Sequence, residues 1–212
     1  MRQAPETKRA VAFFDGQNLF HSAKSAFGYI HPNFDPARLT QAICDQQQWR
    51  RAGVRFYTGI PDAAESPRWH HFWEAKGAQM GRDGIAVFMR PLVYRNAQVR
   101  LPDGTVHSFL TGQEKGIDVR LALDVIRLAH KRAFDVALLF CRDGDLSEVA
   151  DEIRSISEDQ DRWIKIVSAF PYSAAVKNHR GIDKTDWIRI DRATYDRCID
   201  PRDYRIKPRP SP

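Results

Sequence analysis

Residues 11–18 read VAFFDGQN: four apolar residues run into a carboxylate, Asp15, followed at once by Gly16 and Asn18. The pattern returns at 137–147, ALLFCRDGDLS, where an apolar run leads into Asp143 and Asp145. Between the two lies EKGID, which sets Glu114 and Asp118 at the start of an amphipathic segment. An acid directly after an apolar strand is an acid at the carboxyl end of that strand. That edge is where open α/β sheets bind their ligands.

The rest of the chain repeats the alternation. Apolar runs at 11–14, 54–58, 85–90, 136–141, 164–167 and 187–190 predict strands, and segments of helical period at 19–27, 36–48, 68–81, 117–131 and 146–159 predict helices. Strands apolar on both faces, separated by helices, imply a mainly parallel sheet covered on both sides. Asp35 is placed to cap a helix opening on Pro36. Residues 91–113 break the rhythm: Pro102-Asp103-Gly104 is a turn signal between Val99 and Val106. It predicts a β-hairpin inserted ahead of the fourth helix, with Arg95, Arg100 and His107 on its arms, read either as a sheet extension or as a substrate-gripping arm.

The chain has 212 residues, 42% hydrophobic and 28% charged, enough for one ample globular domain. No apolar stretch is long enough to span a membrane. The start, MRQAPETKRA, is charged and runs straight into a strand, unlike a secretory leader. Cys44, Cys141 and Cys198 are odd in number and widely spaced, so they read as reduced thiols of a cytoplasmic protein rather than a disulfide or zinc framework. The net charge of +6 sits mostly in the tails, in Arg2, Lys8 and Arg9 and in Arg202, Arg205, Lys207 and Arg209. We divide the chain into a basic tail at 1–8, a domain at 9–200, and a proline-rich basic tail at 201–212 that is expected to be disordered.

The acids have structural explanations that compete with chemistry. Asn18 and Asp145 stand where helix caps stand. Asp143, one step nearer its strand, has no such explanation and points to a metal. Asp118 falls in line with Leu121, Ala122 and Val125, a stripe facing the sheet, where an acid is costly unless a cation meets it. Asp124, with Arg120 and Arg127 four before and three after, reads as a helix-surface ion pair. Carboxylates without a Cys/His cluster favour a hard cation, Mg²⁺ or Mn²⁺. Two such cations about 3.5–4 Å apart hydrolyse a phosphodiester without a side-chain nucleophile. Lys115 and Arg142 each adjoin a site acid and are candidates to hold substrate phosphates.

At these residues the chain resembles the NYN (LabA-like) family of the PIN-type nuclease superfamily. FFDGQNLF is similar to its first signature and EKGIDVRLALD to its second; Cys141-Arg142-Asp143-Gly144-Asp145-Leu146 stands where the family usually has Ser-Gly-Asp-Gly-Asp-Phe. VSAFPYSAAV and DWIRID resemble the closing strand–helix–strand, so the likeness spans 9–191. It implies a Rossmann-like PIN-type fold and metal-dependent cleavage of RNA. By position it makes Asp15, Asp118, Asp143 and Asp145 metal-site acids and Asn18 an orienting residue. Cys141 in place of Ser and Arg142 in place of Gly are departures from the pattern.

Two other readings are open. One is an RNA-binding protein of the same fold with a weakened centre, which the Cys141-Arg142 departure favours. The other is a small-molecule phosphohydrolase, against which the absence of a glycine-rich phosphate loop counts. His70-His71 among Trp69, Phe72 and Trp73 resembles a base-stacking platform, yet Trp69 and Trp73, four apart, are expected to share a face packed into the core.

Overall fold

In the computed structural model, which describes residues 2–176 and 179–205, Lys8–Asp15 forms a strand, β1. Its side chains alternate, with Ala10, Ala12 and Phe14 in one hydrophobic cluster and Val11 and Phe13 in another on the opposite face. The remaining elements are α1 (Gly16–Phe27), α2 (Pro36–Gln47), β2 (Trp49–Ile60), α3 (Pro67–Arg82), β3 (Ala86–Pro91), β4 (Val93–Arg100), β5 (Val106–Gln113), α4 (Ile117–His130), β6 (Val136–Phe140), α5 (Ser147–Asp159), β7 (Lys165–Pro171), β8 (Asp186–Ile190) and α6 (Arg192–Arg197). A short 3₁₀ turn, Gly144–Leu146, precedes α5.

The main sheet has six strands in the order β3-β2-β1-β6-β7-β8. Every pairing in it is parallel. The chain builds outward from β1 to β3, then returns to lay β6 on the other side of β1 and builds outward again to β8. Strand order therefore reverses between β1 and β6, and a crevice opens there at the carboxyl edge. Leu19 and Ala23 of α1, Leu39 and Ile43 of α2, Phe72 and Trp73 of α3 and Tyr195 of α6 cover one face; Leu121 and Val125 of α4 and Val149 and Ile153 of α5 cover the other. Phe14 and Phe140 stack across β1 and β6 with ring centres 4.0 Å apart. Each is fully buried, which contributes about 2–3 kcal/mol per ring.

Several expectations hold in detail. Asp35 accepts the backbone N–H groups of Ala37 and Arg38 at 2.9 and 3.1 Å and caps α2, with Pro36 in its first turn. The hairpin forms as β4 and β5, antiparallel, with Arg100 opposite Val106 and Gly104 in the left-handed region at φ +86°. It is a separate two-stranded sheet that leaves Val99, Phe109 and Leu110 exposed. The three cysteines are free and buried. Among the described residues no helix is long and apolar enough to cross a membrane.

Other expectations are corrected. Asp124 is not on the helix surface: it is 3% exposed and bonded to the Tyr57 hydroxyl at 2.9 Å. It also pairs with Arg55 at 3.2 Å, so β2 supplies the partner expected from Arg127, while Arg120 pairs as anticipated. Trp73 enters the core as expected, but Trp69 is 38% exposed at its rim. Of the carboxyl-terminal tail, residues 201–205 include Tyr204, whose hydroxyl donates to Asp200 at 2.8 Å; 206–212, like Lys177 and Asn178, lie outside the described residues.

Candidate active site at the carboxyl edge of the sheet

Asp15 ends β1 and begins α1. Its Oδ1 accepts the Asn18 backbone N–H at 2.9 Å, so it caps the helix, yet its carboxylate is only 6% exposed. It continues the phase of Val11 and Phe13, the face covered by α4 and α5. Gly16 lets α1 start hard against β2: a Cβ there would lie 2.5 Å from the Phe56 ring. Burial pushes the Asp15 carboxyl up to about 6, with the charges of Asp143 and Asp118 adding to the rise and the Asn18 N–H opposing it.

Glu114 enters the same crevice from the loop between β5 and α4. Its Oε1 accepts the backbone N–H of Gly59, at the end of β2, and lies 3.5 Å from the Thr58 hydroxyl. Gly59 is required for this approach, since a Cβ would sit 2.7 Å from the Glu114 side chain. Burial pushes the Glu114 carboxyl up to about 7, and the negative charges of Asp15 and Asp118 push the same way. Glu114 was read from sequence only as an acid flanking a helix start. Its neighbour in space, Gly59, is remote in sequence, so no local pattern marked it.

The other candidates divide. Asp143 lines the cleft and is also a cap: its Oδ1 accepts the Asp145 N–H at 3.1 Å and closes the 3₁₀ turn. The structural role expected of Asp145 therefore falls to Asp143, and α5 begins at Ser147 with Leu146 at its N-cap position and no side-chain cap. Asp145 itself is exposed and is not among the cleft-lining residues. Asp118 is half-buried in the first turn of α4, where the helix dipole favours an acid, and its charge reaches both Asp15 and Glu114. Asn18 Oδ1 accepts the Arg142 backbone N–H at 3.0 Å, which ties α1 to the segment after β6. The Arg142 guanidinium lies 4.8 Å over the Phe170 ring and donates to the Arg180 carbonyl at 2.8 Å. Lys115 is exposed beside Glu114.

Asp15, Asn18, His21, Gly112, Glu114 and Asp143 are among the residues lining an open cleft of about 460 Å³. The donors are carboxylate and amide oxygens, which suit a hard cation. Ion pairs elsewhere engage other acids, such as Asp124 with Arg55 and Asp200 with Lys76. Among the described residues no such pair reaches Asp15, Glu114, Asp118 or Asp143. The acids border the cleft without closing into a cage: among the described residues, no three His, Cys, Asp or Glu side chains are grouped to hold an ion. The residues fit a divalent cation in charge and donor type, in an open form.

The fold agrees with the comparisons. A solved structure of a protein of unknown function from Vibrio parahaemolyticus matches with a TM-score of 0.52 at 18% identity, covering 90% of this chain and 97% of that one. This likeness shows the fold. A ribokinase from Giardia lamblia matches at 11% identity over 81% of this chain and 54% of that one, with a TM-score of 0.37, too low to carry an argument. No curated protein matches the chain. The model of the NYN domain matches residues 9–158, which contain β1, the hairpin, α4 and both acidic turns. The chain belongs to the NYN domain family of the PIN-like nuclease superfamily.

Proposed function

We propose that the protein is a ribonuclease dependent on Mg²⁺ or Mn²⁺, hydrolysing RNA phosphodiester bonds in the cleft between β1 and β6. One observation carries this reading: Asp15, Glu114, Asp118 and Asp143 lie close enough at the switch point of the sheet for their charges to act on one another, and among the described residues none of them is in an ion pair. Asp15, Asp118 and Asp143 would hold the cation, with Asp145 at the rim. When bound, the ion supplies positive charge to the transition state of phosphoryl transfer and acidifies water.

The chain's own residues supply the rest. Asn18 fixes the spacing of the two acidic turns through the Arg142 N–H. Glu114, with its carboxyl raised to about 7, is poised to accept a proton from water near neutral pH. Gly59 holds that carboxylate in place through its N–H. Lys115 and Arg142 are the proposed contacts to flanking phosphates. RNA is the proposed partner and the cytoplasm the proposed location.

The test is incubation of labelled RNA and DNA with the protein in Mg²⁺, in Mn²⁺ or in excess chelator. Cleavage of RNA that stops in chelator is the expected result, and full cleavage in chelator sinks the reading. A second reading, an RNA-binding protein that does not cut, is favoured by the open disposition of the acids and by the Arg142 guanidinium already engaged by Phe170 and Arg180. Binding without cleavage in every metal condition selects it.

A further inference from the structure

Helix α1 has a second lined face. Asn18 and His21, three apart, face the acidic cleft, whereas Phe20 and Lys24, four apart on the neighbouring stripe, face a separate cavity of about 320 Å³. Gln17, at the start of the helix, lines both. The cavity is completed by Ile30, Trp69 and Trp73, with prolines at 32 and 61. It contains a lysine and no carboxylate, the reverse of the cleft beside it. Trp69 is 38% exposed and Ile30 75% exposed, and Phe72 braces the Trp69 indole edge-on with ring centres 5.3 Å apart.

We infer that this cavity takes one unpaired nucleobase of the strand whose phosphate lies in the acidic cleft. The inference rests on the nuclease reading above and adds to it the substrate form: single-stranded at the base next to the cut. Three features select that occupant. Gln17 lines both the cavity and the cleft, so the two adjoin along α1. Aromatic walls stack a base of any identity. Lys24 lies at the mouth for a neighbouring phosphate, and the Gln17 amide both donates and accepts toward a base edge. A paired base is held in its stack and must be extruded to enter, so duplex RNA is disfavoured.

The experiment measures binding of the full chain to short labelled single strands by fluorescence anisotropy in excess chelator, and cleavage of the same strands in Mn²⁺. Trp69→Ala is expected to weaken single-strand binding by about 5- to 100-fold, the range for loss of one stacking partner. Trp69→Phe is expected to recover most of that loss, and duplex binding to change by less than about twofold. An abasic site at one position of the strand should cost wild-type protein the same factor and Trp69→Ala nothing further, the signature of a direct contact. Equal binding and cleavage by wild type and Trp69→Ala overturns the base pocket while the nuclease reading stands. A loss shared equally by duplex and single strand overturns it too. Wild-type protein that neither binds nor cuts single strands overturns the base pocket, and if it cuts no duplex RNA in Mn²⁺ either, the nuclease reading falls with it.

Discussion

The thiol of Cys141 lies 3.9 Å from Asp15 Oδ2, while the Asp143 backbone N–H donates to the same sulfur at 3.3 Å. One sulfur thus bridges the acidic turns after β1 and β6. It does so in a buried position, where burial and the Asp15 charge hold the thiol protonated, well above its usual range. A thiol is a weak donor, so Asp15 receives less help in staying ionised than a hydroxyl would give.

Cys141→Ser therefore moves the proton affinity of Asp15. A serine hydroxyl donating to the carboxylate favours its charged form, which lowers its pKa from about 6. The acidic limb of the pH–rate profile for cleavage in Mn²⁺ should shift to lower pH. An unmoved limb, with cleavage retained, would show that Asp15 does not set it.

Stability should respond to the same acids. Asp15 and Glu114 have folded pKa values of about 6 and about 7, above their ordinary 3.8 and 4.5, so the folded chain holds their protons more tightly than the unfolded chain. Their contribution is most favourable below the unfolded values and is lost as pH rises through the folded ones. Asp15→Asn keeps the cap to Asn18 and removes the buried charge. It should stabilise the metal-free protein near pH 8 by on the order of 2–3 kcal/mol and have little effect near pH 4. Thermal melts at the two pH values test this; a destabilised variant near pH 8 contradicts it. Added Mg²⁺ should raise the wild-type Tm more than that of the variant.

Asp124 should matter to stability. Its carboxylate joins α4 to Tyr57 and Arg55 of β2 at 2.9 and 3.2 Å. Asp124→Ala takes away the acceptor of the buried Tyr57 O–H and the ion-pair partner of Arg55, while Arg55 Nε still donates to the Tyr57 oxygen at 3.0 Å, a loss of about 3 kcal/mol. Urea unfolding measures it. A change below about 0.5 kcal/mol, ordinary for a surface site, would place the pair among solvated contacts.

The sequence made the parallel sheet legible because β1 and β6 are apolar on both faces, β1 ending on Asp15 and β6 leading within three residues to Asp143. It understated β2, whose first residues include the exposed Arg50 and Arg51 and carry no apolar run; pairing of Arg50 with Arg9 and of Arg51 with Ala10 makes them strand. It missed α6, a six-residue helix set by the Asp191 cap and the buried Tyr195. Within the site, Asp15 and Asp143 could be read from the strand that each follows. Glu114 could not, because its place depends on Gly59 and on a hairpin that folds the loop back over β2. The partners of Asp124 were misread for a related reason: periodicity reports neighbours along a helix, and Arg55 comes from a strand 69 residues away.

Asp143→Asn separates catalysis from binding. Asparagine retains an oxygen to accept the Asp145 N–H, so the 3₁₀ turn stays closed, and only the negative charge is lost. With that charge gone, cation affinity and transition-state stabilisation should both fall, and cleavage should drop by about 10²–10³. Binding of RNA in chelator should hold or strengthen, because a carboxylate that repels phosphate has been removed. Single-turnover cleavage in Mn²⁺ and anisotropy in chelator, on the same preparation, give both numbers. A variant that cuts at the wild-type rate would leave Asp143 as the cap of its turn and move the active centre elsewhere in the cleft.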